Sequence, residues 1–136
     1  MNALQNPLAL VGRILLAWFF IPAGWAKLTG FAGTVGYAAS AGMPMPEAGV
    51  AVGLAIELLG GLALLLGLGT RYAAAILAIF PLAASFIFHA YWAVPAEAVM
   101  VTKLLFSKNI AVVGGLLAFA AFGAGAWSID NAKRKA

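Results

Sequence analysis

Four long apolar runs, separated by short segments richer in glycine, proline and charge, dominate the pattern of this chain. Each run extends for about 20 residues, the length that an α-helix needs to cross the hydrocarbon core of a bilayer. Transmembrane barrel strands are about half as long and alternate between apolar and polar residues. The pattern therefore predicts an all-α transmembrane four-helix bundle that forms a single domain over residues 1–136. Its four spans are residues 8–28, 48–68, 72–94 and 104–126.

The segments between the apolar runs indicate their secondary structure less clearly. Phe31, Val35 and Ala38 recur at helical spacing after the first run. This spacing predicts a short interfacial helix between the first two spans. Residues 94–103 are expected to form a loop between the third and fourth spans. Thr70 follows a glycine-rich turn and is expected to cap the N-terminus of the third span.

The composition is that of a membrane protein. Hydrophobic residues make up 65% of the chain and charged residues 9%, whereas a soluble domain is about 45–50% apolar and about 25% charged. So few charges cannot cover a surface exposed to water. The chain contains no cysteine and one histidine, which excludes disulfides and thiolate metal sites and leaves too few ligands for an ordinary zinc site.

The excess of positive charge bears on orientation. A net charge of +4 could indicate a nucleic-acid partner, but in a membrane protein a basic excess usually sets topology. No nucleic-acid partner is therefore expected. Four crossings place Arg71 and the basic residues 133–135 on the side of both termini. Because cytoplasmic segments are enriched in Lys and Arg, the sequence predicts that both termini are cytoplasmic.

Glu57 is the most informative polar residue, because it lies near the middle of the second apolar run. A charged side chain at that depth costs about 2.5–3.5 kcal/mol on insertion scales, so it normally points toward a partner or a cavity. Gly53, Gly60 and Gly61 share its helical face. Small residues let another helix approach closely, so Glu57 is expected to face a packed interface.

Polar residues from all four spans are expected to converge near this carboxylate. On the first span, Arg13 and Lys27 share one helical stripe. Glu57 is expected to lie within reach of either Arg13 or Lys108. Two interpretations remain open: a structural polar core, or a functional pocket or proton path. The converging set is Arg13, Lys27, Glu57, His89, Lys108 and Asn109.

Several short blocks, in a fixed order along nearly the whole chain, carry a resemblance to a known family. Each block alone is weakly specific, but the ordered set is more specific. The blocks are Arg13 with Gly24-Trp25-Ala26-Lys27-Leu28, Gly42-Met43-Pro44-Met45-Pro46, Ile56-Glu57-Leu58-Leu59-Gly60-Gly61, Leu66-Gly67-Leu68-Gly69-Thr70-Arg71-Tyr72, Phe88-His89, Ser107-Lys108-Asn109-Ile110 and Gly123-Ala124-Gly125-Ala126-Trp127-Ser128-Ile129-Asp130.

Together these blocks resemble the DoxX family of small four-helix proteins of the bacterial cytoplasmic (inner) membrane. Some members are described as subunits of membrane-associated oxidoreductase complexes linked to thiol or oxidative-stress handling. Related proteins resemble the quinone-reducing subunit of thiosulfate oxidation. The resemblance implies that Arg13, Glu57, His89 and Lys108 line a pocket facing a quinone or an anion. Since the chain has no cysteine, thiol chemistry would belong to a redox partner protein.

Three functions follow as hypotheses. In the first, the chain is a subunit of a membrane oxidoreductase complex that binds a quinone, with Glu57 and His89 as catalytic proton carriers. Cofactor binding would then fall to Arg13, Lys27, Lys108 and Asn109. In the second, the chain is a small transporter or channel for an anion or small solute, working as a homo-oligomer. In the third, it is a non-catalytic membrane scaffold whose glycine-rich faces associate with other helices.

Overall fold

The computed structural model describes residues 2–135, and this part of the chain is built from helices without strands. Four of the helices in the described range are long and apolar enough to cross a membrane. The predicted all-α four-helix membrane bundle is therefore confirmed. The helices are α1 (Asn2–Thr29), α2 (Phe31–Ser40), α3 (Pro46–Leu66), α4 (Thr70–Phe88), α5 (Ala96–Phe122) and α6 (Ile129–Lys135), with a 3-10 turn at Tyr91–Ala93.

The start of the last span differs from the prediction. The third span was expected over residues 72–94, and the apolar segment extends over Thr70–Ala93, with α4 ending at Phe88 and the 3-10 turn following it. The loop expected over residues 94–103 is wrong, because α5 already begins at Ala96. Glu97 and Lys103 lower the hydropathy of this stretch without breaking the helix. Hydropathy marks the edge of the apolar core, whereas a helix continues until its backbone meets a stop.

The short helix expected between the first two spans is present as α2. Ala38 is its buried residue, with 2% of its surface exposed. Helix α2 packs mainly against α3 and also touches α1. We call the end of the bundle that carries α2 and residues 89–95 the loop end. The opposite end, which carries the α3–α4 turn and residues 123–135, is the terminal end.

Helix α3 lies between α1 and α4, and α4 packs along α5. Glycines set the spacing: a methyl group added at Gly24 of α1 would collide with Leu58 of α3, and one added at Gly61 of α3 would collide with Ile21 of α1. These contacts confirm a close α1–α3 approach along small residues. The bundle core comprises Phe20, Leu64, Ala74, Leu77, Ala78, Val113 and Leu116.

The outer surface of the bundle is apolar over the length of the spanning helices. Large hydrophobic side chains such as Leu15, Trp18 and Ile79 are 65%, 78% and 68% exposed. A contiguous apolar surface of this extent on four helices is a surface for lipid. By contrast, Arg13 and Glu57 in the spans are buried between helices, with 1% and 5% of their surfaces exposed.

The terminal end is closed by contacts between residues far apart in the sequence. Gly67 ends α3 in the left-handed conformation, with φ of 66°. The Asp130 carboxylate then accepts hydrogen bonds from the amides of Gly69, at 2.7 Å, and Thr70, at 2.9 Å. The expectation that Thr70 caps this helix is therefore wrong. Asp130 from α6 supplies the cap, and a carboxylate is the stronger acceptor for exposed helical amides.

Burial of Asp130 pulls the pKa of its carboxyl upward, but the amides of Thr70 and Gly69, with Lys133 nearby, outweigh burial. The net effect holds the pKa below its ordinary value. The stabilising contribution of a carboxyl with a lowered pKa is complete above its unfolded-state pKa. It is lost as the pH falls through the folded-state pKa. The terminal end should therefore loosen in acid.

We expect Asp130→Ala to lower the stability of the protein by about 1 kcal/mol at neutral pH, the usual cost of removing a helix cap. The difference from wild type should shrink as the pH falls below the ordinary pKa of an aspartate, because the wild-type carboxyl is then protonated as well. Thermal unfolding in detergent across this pH range measures both effects. Glu97→Ala, which removes a carboxylate from the first turn of α5, is the control. Equal costs for the two variants would contradict the cap.

Candidate functional site

A cavity of about 440 Å³ lies in the half of the bundle toward the loop end. All four spanning helices contribute to its wall, and α2 with Met43 contributes on the loop side. The lining is mostly apolar and aromatic, including Phe19, Phe20 and Phe80. Ligand pockets typically have volumes of about 300–1,000 Å³, apolar walls and a few convergent polar groups. This cavity has those properties.

An ion pair between Lys27 and Glu57 forms one polar part of the wall. The Lys27 Nζ lies 2.9 Å from Oε1 and 2.7 Å from Oε2 of Glu57. The Glu57 side chain is 7% exposed, whereas that of Lys27 is 28% exposed. Gly24 makes the pair possible, since its missing side chain leaves room for the Cβ of Glu57 against α1. The carboxylate thus faces a packed interface, as expected.

Lys108 and Asn109 of α5 and His89 also line the cavity. The Lys108 Nζ lies 4.9 Å from the centroid of the Phe19 ring, a cation–π contact. Asn109 is 5% exposed, and it lines the cavity beside Lys108. His89 follows the last residue of α4, and its backbone amide donates to the Ser85 carbonyl at 3.0 Å. Five of the six candidate residues are therefore brought together.

Arg13 is the sixth candidate, and it lies away from the cavity. It is 1% exposed at the terminal end. Its Nη1 donates to the carbonyls of Leu64, at 3.1 Å, and Leu65, at 3.0 Å, while Nη2 donates to the Trp127 carbonyl. The expectation that Arg13 lines the pocket, or reaches Glu57, is wrong. Fourteen residues of helix separate Arg13 from Lys27, about 21 Å, so one carboxylate cannot serve both cations.

The expectation that Lys108 could be the partner of Glu57 is also not met. Lys27 takes that place, and its ammonium group turns into the bundle. Because α5 begins at Ala96, Lys108 and Asn109 lie about three turns into the helix.

The aromatic wall and the contribution of α2 were missed from the sequence. Tyr37 of α2 stacks on Phe88 of α4, with ring centroids 5.6 Å apart, and both line the cavity with Thr34. Helical spacing predicts that α2 exists, but not against which helices it folds back. Phe19 lies beside the stripe of Arg13 and Lys27 on α1, and Phe80 lies on α4, which is apolar around most of its circumference. No periodicity distinguishes their inward face from the lipid-facing one.

Comparison with known proteins agrees with this architecture. The DoxX family model matches residues 8–90, which include α1 to α4 and the pair Lys27–Glu57. The chain belongs to the DoxX family. A second model, that of the SURF4 family, matches residues 51–136 and overlaps the first. Between them the two matches include all six candidate residues.

Two curated relatives resemble this DoxX-family chain over nearly its whole length. The inner membrane protein YqjF of Escherichia coli (strain K12) is 42% identical over 99% of this chain and 98% of its own. The inner membrane protein YphA of the same strain is 36% identical over 96% of this chain and 93% of its own. No solved structure matches the chain. The protein is thus a DoxX-family inner membrane protein, and the lipid bilayer is its environment.

We expect the ion pair to be strongly coupled. Lys27→Met leaves a buried carboxylate without a partner and should cost about 3–5 kcal/mol. Glu57→Gln should cost less, because the partly exposed Lys27 can extend toward the headgroups. The double variant should cost less than the sum by about 0.5–3 kcal/mol. Unfolding in sodium dodecyl sulfate measures the four free energies, with the exposed Lys103→Met as control. Additive costs would show that the pair is not coupled.

Arg13 should hold the C-terminal segment onto α3. Arg13→Lys keeps the charge but loses the planar fork, so buried carbonyls of α3 are left unsatisfied at about 1–3 kcal/mol each. We expect lower thermal stability and faster tryptic cleavage at Lys133 and Arg134. Arg71→Lys, at an exposed position beside the α3–α4 turn, is the matched control. Identical cleavage rates in the two variants would argue against this role.

Proposed function

We propose that this chain is the quinone-binding membrane subunit of an oxidoreductase complex and that the cavity at the loop end holds the quinone headgroup. The observation that carries the proposal is the convergence of three hydrogen-bond donors, Lys27, Lys108 and Asn109, on one cavity with aromatic walls. Asn109 is 5% exposed, and it lines this cavity. A few polar groups in an otherwise apolar pocket are the usual means of orienting a bound ligand.

The walls suit a flat ring. Phe19, Phe20 and Phe80 present aromatic surface to the cavity, and aromatic rings favour offset-stacked or edge-to-face contacts. The rim also suits an isoprenoid tail. Tyr37 and Ile87 line the cavity and are 59% and 46% exposed. A ligand in the cavity can therefore reach the bilayer between α2 and α4.

The polar groups suit quinone carbonyls, which only accept hydrogen bonds. The ammonium of Lys108 and the amide of Asn109 are donors on adjacent positions of α5, and both line the cavity. Lys27 is a third donor, and its charge is balanced by Glu57 at 2.7 Å. Because Glu57 neutralises Lys27, this part of the cavity carries no net charge, which suits a neutral headgroup.

Glu57 and His89 are the proton-carrying groups in this proposal. A bound quinone supplies the electron-accepting chemistry. The carboxylate of Glu57, held by Lys27, and the imidazole of His89 line the same cavity, and each can exchange protons. The chain has no cysteine, so electrons from thiols would arrive through a redox partner protein.

Orientation and assembly belong to the same proposal. Arg71, Lys133 and Arg134 belong to the terminal end. By the positive-inside rule this end faces the cytoplasm, and the cavity then lies in the outer half of the membrane. Redox partners and a homo-oligomer would contact the protein through its loops or its lipid-facing helices. Its single-domain organisation over residues 1–136 remains a prediction.

An anion transporter is the second candidate, supported by the positive charge of Lys108 beside His89 in the cavity. In this candidate an anion crosses the membrane through the bundle, whereas in the first candidate a quinone binds in the cavity. Flux of a labelled anion into liposomes that contain the protein, compared with empty liposomes, separates the two. A scaffold without a ligand would give neither flux nor binding.

Binding of a ubiquinone analogue with a short alkyl tail to the purified full-length protein tests the first candidate. We expect saturable binding that weakens about tenfold in Asn109→Leu, because a buried hydrogen bond to the ligand is lost. The control is Ser107→Leu, an equivalent change at an exposed position of the same helix. Glu57→Gln should impair quinone reduction in the assembled complex more than binding.

The absence of saturable binding to the wild-type protein would reject the proposal. Binding that is equally weakened by Asn109→Leu and Ser107→Leu would place the quinone on the lipid-facing surface rather than in the cavity. Size-exclusion profiles of the variants in detergent show whether each is folded.

A further inference from the structure

A second cavity, of about 490 Å³, opens at the terminal end. Its walls come from the start of α4, the end of α5 with the following loop, α6 and the first turns of α1. We call it the terminal cleft. It shares no lining residue with the cavity at the loop end. Its lining is far more polar, and it carries the side chains of Arg71 and Arg134.

The charge of the terminal cleft is positive and largely uncompensated. Asp130 is the acidic residue among those that line it, and its carboxylate already accepts from the Gly69 and Thr70 amides. Neither Arg71 nor Arg134 forms an ion pair with any of residues 2–135. The ion pair found within that range is Lys27–Glu57. Two guanidinium groups thus line one polar cleft without an acidic partner. Such a cleft favours an anion, and guanidinium groups suit phosphate.

The position of the terminal cleft indicates the source of that phosphate. Arg71 and Tyr72 lie in the first turn of α4, and Phe122 is the last residue of α5. Tyr72 and Phe122 line the cleft and are 81% and 85% exposed. Aromatic residues at helix ends mark the level of the lipid headgroups. The cleft therefore lies at the depth of lipid phosphates.

An apolar ridge leads from the cleft into the bilayer. Tyr72, Ile76 and Ile79 recur at helical spacing along α4, and the two isoleucines are 51% and 68% exposed. Residues at i, i+4 and i+7 lie on one face of a helix. This face offers acyl chains a path continuous with the polar cleft. A free phosphate ion would make no use of it.

We propose that the terminal cleft is a binding site for an anionic phospholipid, with its phosphate held between Arg71 and Arg134. Its acyl chains lie along the exposed face of α4. Basic pockets between transmembrane helices are recognised sites for anionic headgroups. This site is independent of any quinone at the loop end. Lipid bound there joins α4, α5 and α6, the elements that close the terminal end.

Native mass spectrometry of the full-length, lipid-depleted protein in mild detergent tests this site. We expect phosphatidylglycerol to bind more tightly than phosphatidylcholine. Arg71→Gln and Arg134→Gln should each weaken phosphatidylglycerol binding about fivefold, the effect of one basic residue on an anionic lipid. Lys103→Gln, which removes a charge at the loop end, should leave binding unchanged. Excess inorganic phosphate should not displace the lipid.

Three results would overturn the proposal. The first is equal binding of the two lipids to wild-type protein, a measurement that requires no variant to fold. The second is an equal loss in Lys103→Gln and in the two arginine variants, which would indicate general charge attraction. The third is displacement of the lipid by inorganic phosphate, which would indicate an anion site without lipid selectivity. Arg71→Lys should retain most of the binding and so separates loss of charge from loss of fold.

Discussion

The structure depends on how α1 accommodates two cations on the single helical face that it buries. Arg13 and Lys27 are both on this face, four turns apart. Neither can be buried without a partner, since an unpaired charge in the bilayer core is expensive. Arg13 donates hydrogen bonds to backbone carbonyls at the C-terminus of α3 and to the carbonyl of Trp127. Lys27 forms an ion pair with Glu57, also on α3. These partners fix the register of α1 on α3.

Because Arg13 and Lys27 have different kinds of partner, the two ends of the bundle are built differently. At the terminal end, hydrogen bonds of Arg13 and Asp130 tie the C-terminal segment to the end of α3 and to the α3–α4 turn, beside the terminal cleft. Carbonyls at a helix C-terminus lack partners within the helix and carry partial negative charge, so a guanidinium there is favourable. At the loop end, the Lys27–Glu57 ion pair ties α1 to α3. Helix α2 folds back over this end, and a cavity lies beneath it.

The loop-end cavity combines features that a purely structural polar core does not need. A sealed ion pair would account for Lys27 and Glu57 alone. It does not account for Asn109, a buried amide that lines the cavity, nor for Lys108 lying over the Phe19 ring. Aromatic walls and several donors that converge on one space are the features of a ligand pocket. The terminal cleft is instead polar and basic at headgroup depth, which suits a lipid.

The family of the chain and its class were predictable from the sequence. Runs of about 20 apolar residues determine four spanning helices because every backbone polar group in a bilayer must be paired within its own helix. The cost of burying Glu57 and the glycines around it determined that this carboxylate faces another helix. These inferences hold because they depend on local periodicity and on solvation, which act along the chain.

Pairings between helices were decided by the tertiary structure alone. Whether Glu57 would meet Arg13, Lys27 or Lys108 depends on the axial offset and rotation of packed helices, and a shift of one turn changes the partner. The cap on α4 comes from Asp130, some 60 residues along the chain, so no local pattern could reveal it. The aromatic walls were also not predicted, because the positions of apolar residues on a largely apolar helix do not show which of them face inward. The sequence alone determined which groups must be paired, and only the folded bundle decided with which partners.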